Sequence, residues 1–296
     1  MRRGGLRGRT AGGVFVVAAV IFMAGVQALA GDIPKVLRVS AIPDENPTEL
    51  HRIYAPIVKY LEKEIGIPVQ FIPVVDYAAT VEGLAAKKLD MVWYGGLTHV
   101  QARIRTGNTA YAIAMREEDT KFRTVFVTNP KANIKTLQEL KRKTFAFGSS
   151  GSTSGHTMPR YFLLQEGIVP ERDFAKFAYS GAHDATAKWV ESGRVDAGAV
   201  NIAVWEKLVE EKKVDTKRVF VFWTTPPYVD YNWTVRGDLD KGLVDKLRAA
   251  FLKLDPRRPQ DAQLLKLHRA SRYIPVESEE IFKPIEEAAR QGGLIK

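Results

Sequence analysis

The sequence predicts an α/β protein built from two similar halves. Short apolar runs alternate with amphipathic helical patterns along most of the chain, which is typical of α/β layers with a largely parallel sheet. An amphipathic helix followed by a basic residue, an apolar residue and an aspartate occurs twice, ending in Lys88-Leu89-Asp90 and in Arg194-Val195-Asp196. Two similar α/β halves would explain this short echo. About 266 residues follow the N-terminal segment, enough for one large or two medium domains.

The first half shows the alternation from residue 36 to residue 128. Asn46 and Asp76 are plausible N-caps, and Pro47 occupies a first helical position, so a helix is predicted after each cap. A further helix is predicted near residues 98–105. Strands are predicted at residues 36–41, 69–74, 89–93, 111–115 and 123–128.

The second half continues the pattern after Asn129-Pro130. Strands are predicted at residues 144–147, 177–179, 194–200, 219–223 and 231–236. Helices are predicted around residues 136–141, 159–165, 187–191, 243–254 and 279–290. No segment indicates a third domain or a long linker.

Residues 1–30 form a predicted signal peptide. Four arginines precede an apolar stretch at residues 14–24, and Ala28-Leu29-Ala30 is a typical cleavage motif. This pattern predicts export to the periplasm, with an uncleaved N-terminal anchor as the alternative. No second long apolar stretch follows, so we expect no stable membrane insertion after cleavage.

The net charge indicates which kinds of molecule the protein binds, and the cysteine content indicates what stabilises it. The net charge is +10, and removal of the four N-terminal arginines, with no acidic residue among residues 1–30, leaves +6. The basic residues form no run long enough to predict nucleic-acid binding, but a mild positive charge favours the arrival of an anion. The chain contains no cysteine, so its stability is expected to depend on its core rather than on disulfides.

The most informative stretch is the 148–155 loop, Gly148-Ser149-Ser150-Gly151-Ser152-Thr153-Ser154-Gly155. A predicted strand leads into it and a predicted helix leads out of it. A loop of small residues at a helix N-terminus directs backbone N–H groups and hydroxyls towards one point, which is the chemistry of an anion site. The alternative is a flexible surface loop.

The spacing of residues in this loop does not fit the two common catalytic motifs of such loops. No lysine occurs between residues 144 and 175, so the Gly-Lys-Ser/Thr motif of the P-loop, which binds nucleotide phosphates, is not matched. The central position of Gly151-Ser152-Thr153-Ser154-Gly155 is a threonine rather than the serine of a nucleophile elbow. A triad with His183 and a carboxylate leaves a serine hydrolase as one alternative. The histidines have no zinc-ligand spacing, and no metal or other cofactor is predicted.

Three residues outside the loop are candidate ligand contacts. Tyr94 ends a buried strand, and ligands of open α/β sheets bind at the carboxyl ends of strands. His183 begins a predicted helix and is expected to donate a hydrogen bond to an oxyanion. Asp230, between Tyr228 and Tyr231, falls where the chain would return between the halves.

Several segments resemble the phosphate, phosphite and phosphonate substrate-binding proteins of ABC importers. The similar segments are Ile42-Pro43-Asp44-Glu45-Asn46-Pro47-Thr48, Asp76-Tyr77-Ala78-Ala79, Trp93-Tyr94-Gly95-Gly96, Ser152-Thr153-Ser154-Gly155 and Gly181-Ala182-His183-Asp184. The first of these, together with Arg116-Glu117-Glu118-Asp119, is similar to a subgroup named for selenate binding.

The resemblance implies a type II periplasmic binding protein fold, with two α/β lobes joined by a two-strand hinge. The lobes would be residues 32–128 plus 230–296 and residues 129–229, with crossings near 127–130 and 227–232. Carried over by motif, the oxyanion ligands would be Tyr77, Tyr94, Ser152, Thr153, Ser154, Gly155 and His183, with Asp230 as a looser match. His156 stands where relatives often have an aromatic residue.

The resemblance further implies a binding protein that closes over a tetrahedral oxyanion and presents it to an ABC permease. A carboxylate in the cleft, Asp230 or Asp44, would accept a proton from phosphate, phosphite or a phosphonate and would repel a fully ionised anion. A phosphorus oxyanion is therefore favoured over selenate or sulfate. A planar heterocycle such as a thiamine precursor, stacked on Trp93 or Trp223, is a further alternative.

Overall fold

The structure, a computed structural model, describes residues 31–296 together with Met1 and Gly4. The predicted signal peptide, residues 1–30, lies outside the described residues apart from those two positions. Between residues 31 and 296, no helix is both long enough and apolar enough to cross a membrane.

Strands and helices alternate along most of this region. The strands are β1 (Leu37–Ala41), β2 (Val69–Phe71), β3 (Met91–Tyr94), β4 (Tyr111–Arg116), β5 (Thr124–Thr128), β6 (Thr144–Phe147), β7 (Lys176–Tyr179), β8 (Ala197–Asn201), β9 (Phe220–Thr224), β10 (Asn232–Val235) and β11 (Tyr273–Pro275). The helices are α1 (Pro47–Ile65), α2 (Tyr77–Ala85), α3 (Gly96–Arg105), α4 (Met158–Gln165), α5 (Pro170–Asp173), α6 (His183–Glu191), α7 (Ile202–Glu210), α8 (Lys241–Leu252), α9 (Pro259–Leu267) and α10 (Lys283–Gln291).

The strands form two mixed sheets with matching topology. The first sheet has the order β11-β4-β10-β3-β1-β2 and the second has the order β7-β6-β8-β5-β9. In each sheet three neighbouring strands are parallel, and a strand from the crossing region pairs antiparallel with them: β10 with β3, and β5 with β8. The type II fold with two α/β halves is therefore confirmed, although the sheets are mixed rather than largely parallel.

The repeated aspartate of the sequence echo has the same role in both halves. The Asp90 carboxylate accepts a hydrogen bond from the Arg38 N–H at 2.7 Å, at the start of β1. The Asp196 carboxylate accepts one from the Thr144 N–H at 2.8 Å, at the start of β6. Each aspartate directly precedes a strand, β3 or β8, that pairs in parallel with the strand carrying the donor N–H. The echo therefore reflects a structural repeat.

The chain passes from the first sheet to the second between β4 and β5 and returns between β9 and β10. The two crossing segments pair through an antiparallel bridge between Phe122 and Tyr228. Strand β5 lies in the second sheet, so the first crossing comes before residue 124, earlier than the predicted 127–130. The predicted boundary at 128–129 therefore moves to the segment before β5, whereas the boundary at 229–230 stays a prediction.

Helix α1 illustrates how local sequence specifies each element. The Asn46 side chain accepts the Glu49 N–H at 3.1 Å, and Pro47 opens the helix. The helix ends at Gly66, whose φ of 76° favours glycine. Its apolar residues at three- and four-residue spacing are buried against the first sheet: Leu50, Tyr54, Ile57, Leu61 and Ile65. The segment that precedes the helix, residues 42–46, contacts the second half, since the His183 N–H donates to the Asp44 carbonyl at 2.9 Å.

Candidate functional site

The 148–155 loop connects β6 to a π-helical turn, Thr153–Thr157, that continues into α4. The Ser152 hydroxyl accepts the Gly155 N–H at 2.9 Å and so caps the turn. The Gly148 N–H donates to the Gly155 carbonyl at 2.8 Å, which fixes the loop's two ends together. The N–H groups of Thr153 and Ser154, at the first helical positions, have no intrahelical acceptor. The loop therefore offers buried backbone donors at a helix N-terminus, as an anion site requires.

Gly155 lets the imidazole of His183 lie directly against this turn. A Cβ atom on Gly155 would lie 2.9 Å from His183 Cε1 and 3.0 Å from Ser152 Oγ. Both distances are shorter than ordinary van der Waals contacts. Glycine is therefore required here for close packing of the turn against His183.

Four of the predicted residues carry buried polar atoms without hydrogen-bond partners. They are the hydroxyls of Tyr77 and Ser154, Nε2 of His183 and Oδ2 of Asp230. The Tyr77 and Ser154 hydroxyls lie near those of Ser152 and Tyr228, respectively, without forming hydrogen bonds of normal geometry. Buried polar atoms are rarely left unpaired in folded proteins, so a group of four in one region indicates a place for a polar ligand.

The environment of His183 fixes its tautomer. Nδ1 accepts a hydrogen bond from the Asn201 N–H at 3.2 Å, so the ring proton is on Nε2. Burial lowers the pKa of His183 to about 4, against an opposing effect of Asp184. At neutral pH the imidazole is therefore uncharged, and Nε2–H is a buried donor without a partner.

Asp230 supplies an acceptor on the opposite side of the site. Its Oδ1 accepts the Gly96 N–H at 3.0 Å, whereas Oδ2 has no partner. Burial raises the pKa of the Asp230 carboxyl to about 7, against the hydrogen bond from Gly96. This carboxyl can therefore take up a proton near neutral pH and then donate it to an oxyanion.

The two halves are in direct contact at the site. Thr153 Oγ1, from the second half, accepts the Leu97 N–H at 2.9 Å, at the start of α3 in the first half. The Gly151 backbone packs on Tyr77, since a Cβ there would lie 2.9 Å from Tyr77 Cβ. The His183 N–H donates to the Asp44 carbonyl at 2.9 Å. The site residues of the two halves thus enclose one buried region.

The Tyr94 hydroxyl does not face the ligand region as the sequence predicts, and Trp93 is not available for stacking. The Tyr94 hydroxyl donates to the Thr80 carbonyl at 2.7 Å, so it is paired within the first half and does not join the four unpartnered atoms. Trp93 is covered by Tyr231, with ring centroids 5.6 Å apart, and Trp223 packs against Phe126 in the second half. Trp93 is 3% exposed and therefore offers no free face of the kind that a stacked heterocycle needs.

A hydrogen-bond chain behind His183 was not identified from the sequence. The Asn201 amide donates to the Tyr231 hydroxyl at 2.7 Å, and this hydroxyl donates to the Asp44 carboxylate at 3.1 Å. Burial raises the pKa of Asp44 to about 6, against the hydrogen bond from Tyr231. Asn201 ends β8 as Tyr94 ends β3, so the rule that ligands meet the carboxyl ends of strands could have found it.

A buried ion pair also joins the halves near the site. Lys207, on α7, contacts the carboxylate of Glu45 and lies 3.3 Å from that of Glu49 on α1. All three side chains are at most 8% exposed. Burial raises the pKa of Glu45 to about 7, with Asp44 adding to the effect and Lys207 opposing it.

A sequence model of the family described as ABC transporter, phosphonate, periplasmic substrate-binding protein matches residues 39–281. The chain belongs to this family. Its members bind a small ligand outside the cytoplasm and work with the membrane components of an ABC importer; they are binding proteins, not enzymes. The family resemblance inferred from the sequence motifs is thereby confirmed.

Individual relatives agree with this assignment. A Prochlorococcus marinus protein named a probable ABC transporter phosphite binding protein is 42% identical over 274 residues, which covers 89% of this chain and 92% of the relative. The structure of PhnD1 from Prochlorococcus marinus in complex with methylphosphonate matches with a TM-score of 0.85 and 40% identity, covering 89% of this chain and all of that one. A phosphate-import protein of Mycolicibacterium smegmatis is 26% identical, covering 74% of this chain and 71% of the relative.

Proposed function

We propose that this protein captures a phosphorus oxyanion, such as phosphite or methylphosphonate, between its two halves. The observation that carries the proposal is the group of four unpartnered buried atoms on Tyr77, Ser154, His183 and Asp230. Three of them can donate a hydrogen bond, and the fourth belongs to a carboxyl that can hold or share a proton. Together with the N–H groups of the helix N-terminus they match a tetrahedral anion that carries a proton.

The remaining loop residues contribute indirectly or through the backbone. Ser152 caps the turn and Gly155 provides the close packing under His183. Thr153 ties the loop to Leu97 in the other half. Tyr94 supports the first half through Thr80 rather than contacting the ligand with its hydroxyl. The ligand contacts would thus come from both sides of the cleft.

The phosphorus oxyanions are favoured over sulfate or selenate because of Asp230. A fully ionised anion brings no proton, so binding beside an ionised carboxylate would place two unshared negative charges in a buried site. Phosphite, phosphonates and phosphate can each carry a proton that the carboxyl accepts as a hydrogen bond. The names of the relatives, which refer to phosphite, methylphosphonate and phosphate, support this choice.

The mechanism is a closure of the two lobes over the ligand. We propose lobes at residues 32–123 plus 230–296 and residues 124–229, because strand β5 pairs within the second sheet. The hydrogen bonds between the halves support the assignment of this conformation as the closed one. After export by the signal peptide at residues 1–30, the closed protein would deliver its ligand to an ABC permease.

Calorimetric titration tests the proposal. The mature chain, residues 31–296, is titrated with phosphite, methylphosphonate, aminoethylphosphonate, phosphate, sulfate and selenate at pH 8. At least one phosphorus oxyanion is expected to bind with micromolar or tighter affinity and at least about tenfold more tightly than sulfate. Preferential binding of sulfate or selenate, or no binding of any anion, would overturn the proposal.

Replacement of Lys207 by methionine is expected to weaken methylphosphonate binding by about tenfold. The variant leaves Glu45 and Glu49 buried without their cation in the closed form, whereas an open form would solvate both carboxylates. Protonation of Glu45 limits the loss, since its pKa is about 7. Titration calorimetry of the variant measures the effect.

Lys213→Met is the matched control, because Lys213 also pairs with Glu49 but is 45% exposed. It should change the affinity by less than about twofold, as exposed ion pairs contribute little. The double variant K207M/E45Q should recover affinity to within about threefold of the wild type. Equal losses in K207M and K213M would contradict a role of the buried pair in closure.

A further inference from the structure

His156 lies under the 148–155 loop and does not face the region of the four unpartnered atoms. It is 1% exposed, and its ring packs edge-on against Phe147 and Tyr179, with centroids 5.0 and 4.9 Å away. Both ring nitrogens are hydrogen-bonded within the second half. The residue is therefore a buried polar group that the proposed ligand contacts do not use.

Its partners determine its tautomer. Nδ1 lies 2.9 Å from the Ser150 carbonyl, which can only accept, so Nδ1 carries the proton. Nε2 lies 3.2 Å from Nε–H of Arg160, which can only donate, and 3.0 Å from the Tyr179 hydroxyl. Arg160 is itself held by two hydrogen bonds to Glu171. The imidazole is thus fixed in one orientation, with its N–H directed at the loop.

The bonded carbonyl is the one that decides the conformation of the loop's turn. The Ser152 N–H donates to the Ser149 carbonyl at 3.0 Å, which closes a β-turn with Ser150 and Gly151 at its central positions. Type I and type II turns differ by a flip of the peptide between the two central residues. The Ser150 carbonyl belongs to that peptide, so the bond from His156 prevents the flip.

The sequence of the turn does not prevent the flip by itself. The φ of Gly151 is not positive, so the turn adopts the type I arrangement. Glycine at this position would equally permit type II. A residue with a side chain would favour type I. Its Cβ, however, would lie 2.9 Å from Tyr77 Cβ, so close packing on Tyr77 requires glycine. Within the turn, the N–H of the same peptide donates only a long hydrogen bond, 3.3 Å, to the Ser149 hydroxyl. The shorter bond from His156 to the Ser150 carbonyl, 2.9 Å, holds this peptide from outside the turn.

We infer that His156 is a positioning residue, which fixes the orientation of the Ser150–Gly151 peptide. This orientation determines the backbone surface on which Tyr77 packs and the position of the N-terminus of the 153–157 turn. The inference rests on the proposed function, since it concerns the same site. His156 contacts no ligand. It would act on affinity by keeping the loop in the one conformation that presents Ser154 and receives Tyr77.

Three variants test this role. His156→Asn can place an amide N–H near the position of Nδ1 and keep the bond to Ser150, whereas His156→Phe keeps a ring between Phe147 and Tyr179 but has no donor. Leu140→Ala is the matched control for stability, because Leu140 is fully buried in the core of the same half and lies outside the 148–155 loop. Methylphosphonate affinity is measured by calorimetry, melting temperature by calorimetric scanning, and backbone exchange over residues 148–157 by hydrogen–deuterium exchange without ligand.

His156→Phe is expected to weaken methylphosphonate binding by about tenfold, and His156→Asn by less than about threefold. Without ligand, the Ser152 N–H should exchange at least about tenfold faster in H156F than in the wild type. Leu140→Ala should lower the melting temperature but change the affinity by less than about twofold. Unchanged Ser152 exchange in H156F, or an equal affinity loss in L140A, would overturn the inference. Failure of the wild type to bind any phosphorus oxyanion would instead overturn the proposed function, and the exchange measurement would still test His156.

Discussion

Replacement of His183 by asparagine is expected to weaken methylphosphonate binding by about 10- to 100-fold, with little change in the free energy of unfolding. The variant removes Nε2–H, the buried donor without a partner, and a hydrogen bond to a charged group contributes about 1.5–3 kcal/mol. The Asn side-chain oxygen can still accept the Asn201 N–H that now bonds Nδ1. Titration calorimetry and urea unfolding measure the two quantities.

His183→Gln is the matched control, because its amide reaches the position of Nε2 but leaves the Asn201 N–H without its acceptor. This variant should keep the affinity within about fivefold of the wild type and lose about 1 kcal/mol of stability. The two variants therefore separate the ligand-facing nitrogen from the structural one. The opposite pattern, with tight binding by H183N and weak binding by H183Q, would show that His183 acts only through Asn201.

Asp230→Asn is expected to remove the discrimination against sulfate at alkaline pH. The pKa of the Asp230 carboxyl is raised to about 7 by burial, and a bound dianion would raise it further. Sulfate binding to the wild type should therefore take up one proton above pH 7, so that the affinity falls about tenfold for each pH unit. At pH 9 the variant should bind sulfate about 100-fold more tightly than the wild type.

The comparison of the wild type with D230N isolates this carboxyl. Burial also raises the pKa of Glu45 to about 7, so Glu45 titrates over the same pH range, but it does so in the wild type and in the variant alike. Asp44, whose pKa burial raises to about 6, is largely ionised above pH 7 in both. Calorimetry in two buffers of different ionisation enthalpy counts the protons directly. A wild-type affinity for sulfate that is flat from pH 7 to pH 9, or one that falls equally steeply in D230N, would contradict the assigned role of Asp230.

Much of the fold was accessible from local sequence signals. The cap at Asn46, the strand–helix alternation and the repeated aspartates at 90 and 196 predicted elements and a repeat that the structure contains. The antiparallel pairing of β5 with β8 and of β10 with β3 was not predicted, because an antiparallel strand can have the same apolar pattern as a parallel one. The helices α7 and α9 were not identified either.

The sequence predicted the loop of the candidate site but not the contacts between residues that are far apart in the chain. Small residues between a strand and a helix N-terminus marked the 148–155 loop, since this chemistry is local. The sequence predicted Tyr94 as a ligand contact, but it could not show the direction of the hydroxyl. In the structure the hydroxyl donates to the Thr80 carbonyl. The Lys207–Glu45 pair and the Asn201–Tyr231–Asp44 chain join residues far apart in the sequence. Such contacts depend on how the two halves meet, which local sequence patterns do not encode.

A crystal structure of the mature protein with methylphosphonate tests the central claim most directly. We expect the phosphonate oxygens within about 3.2 Å of His183 Nε2 and of the Ser154 and Tyr77 hydroxyls, with Asp230 Oδ2 bonded to the third oxygen. All four atoms that lack partners would then be satisfied by one ligand. Methylphosphonate bound elsewhere, with these four atoms still unpaired, would contradict the account.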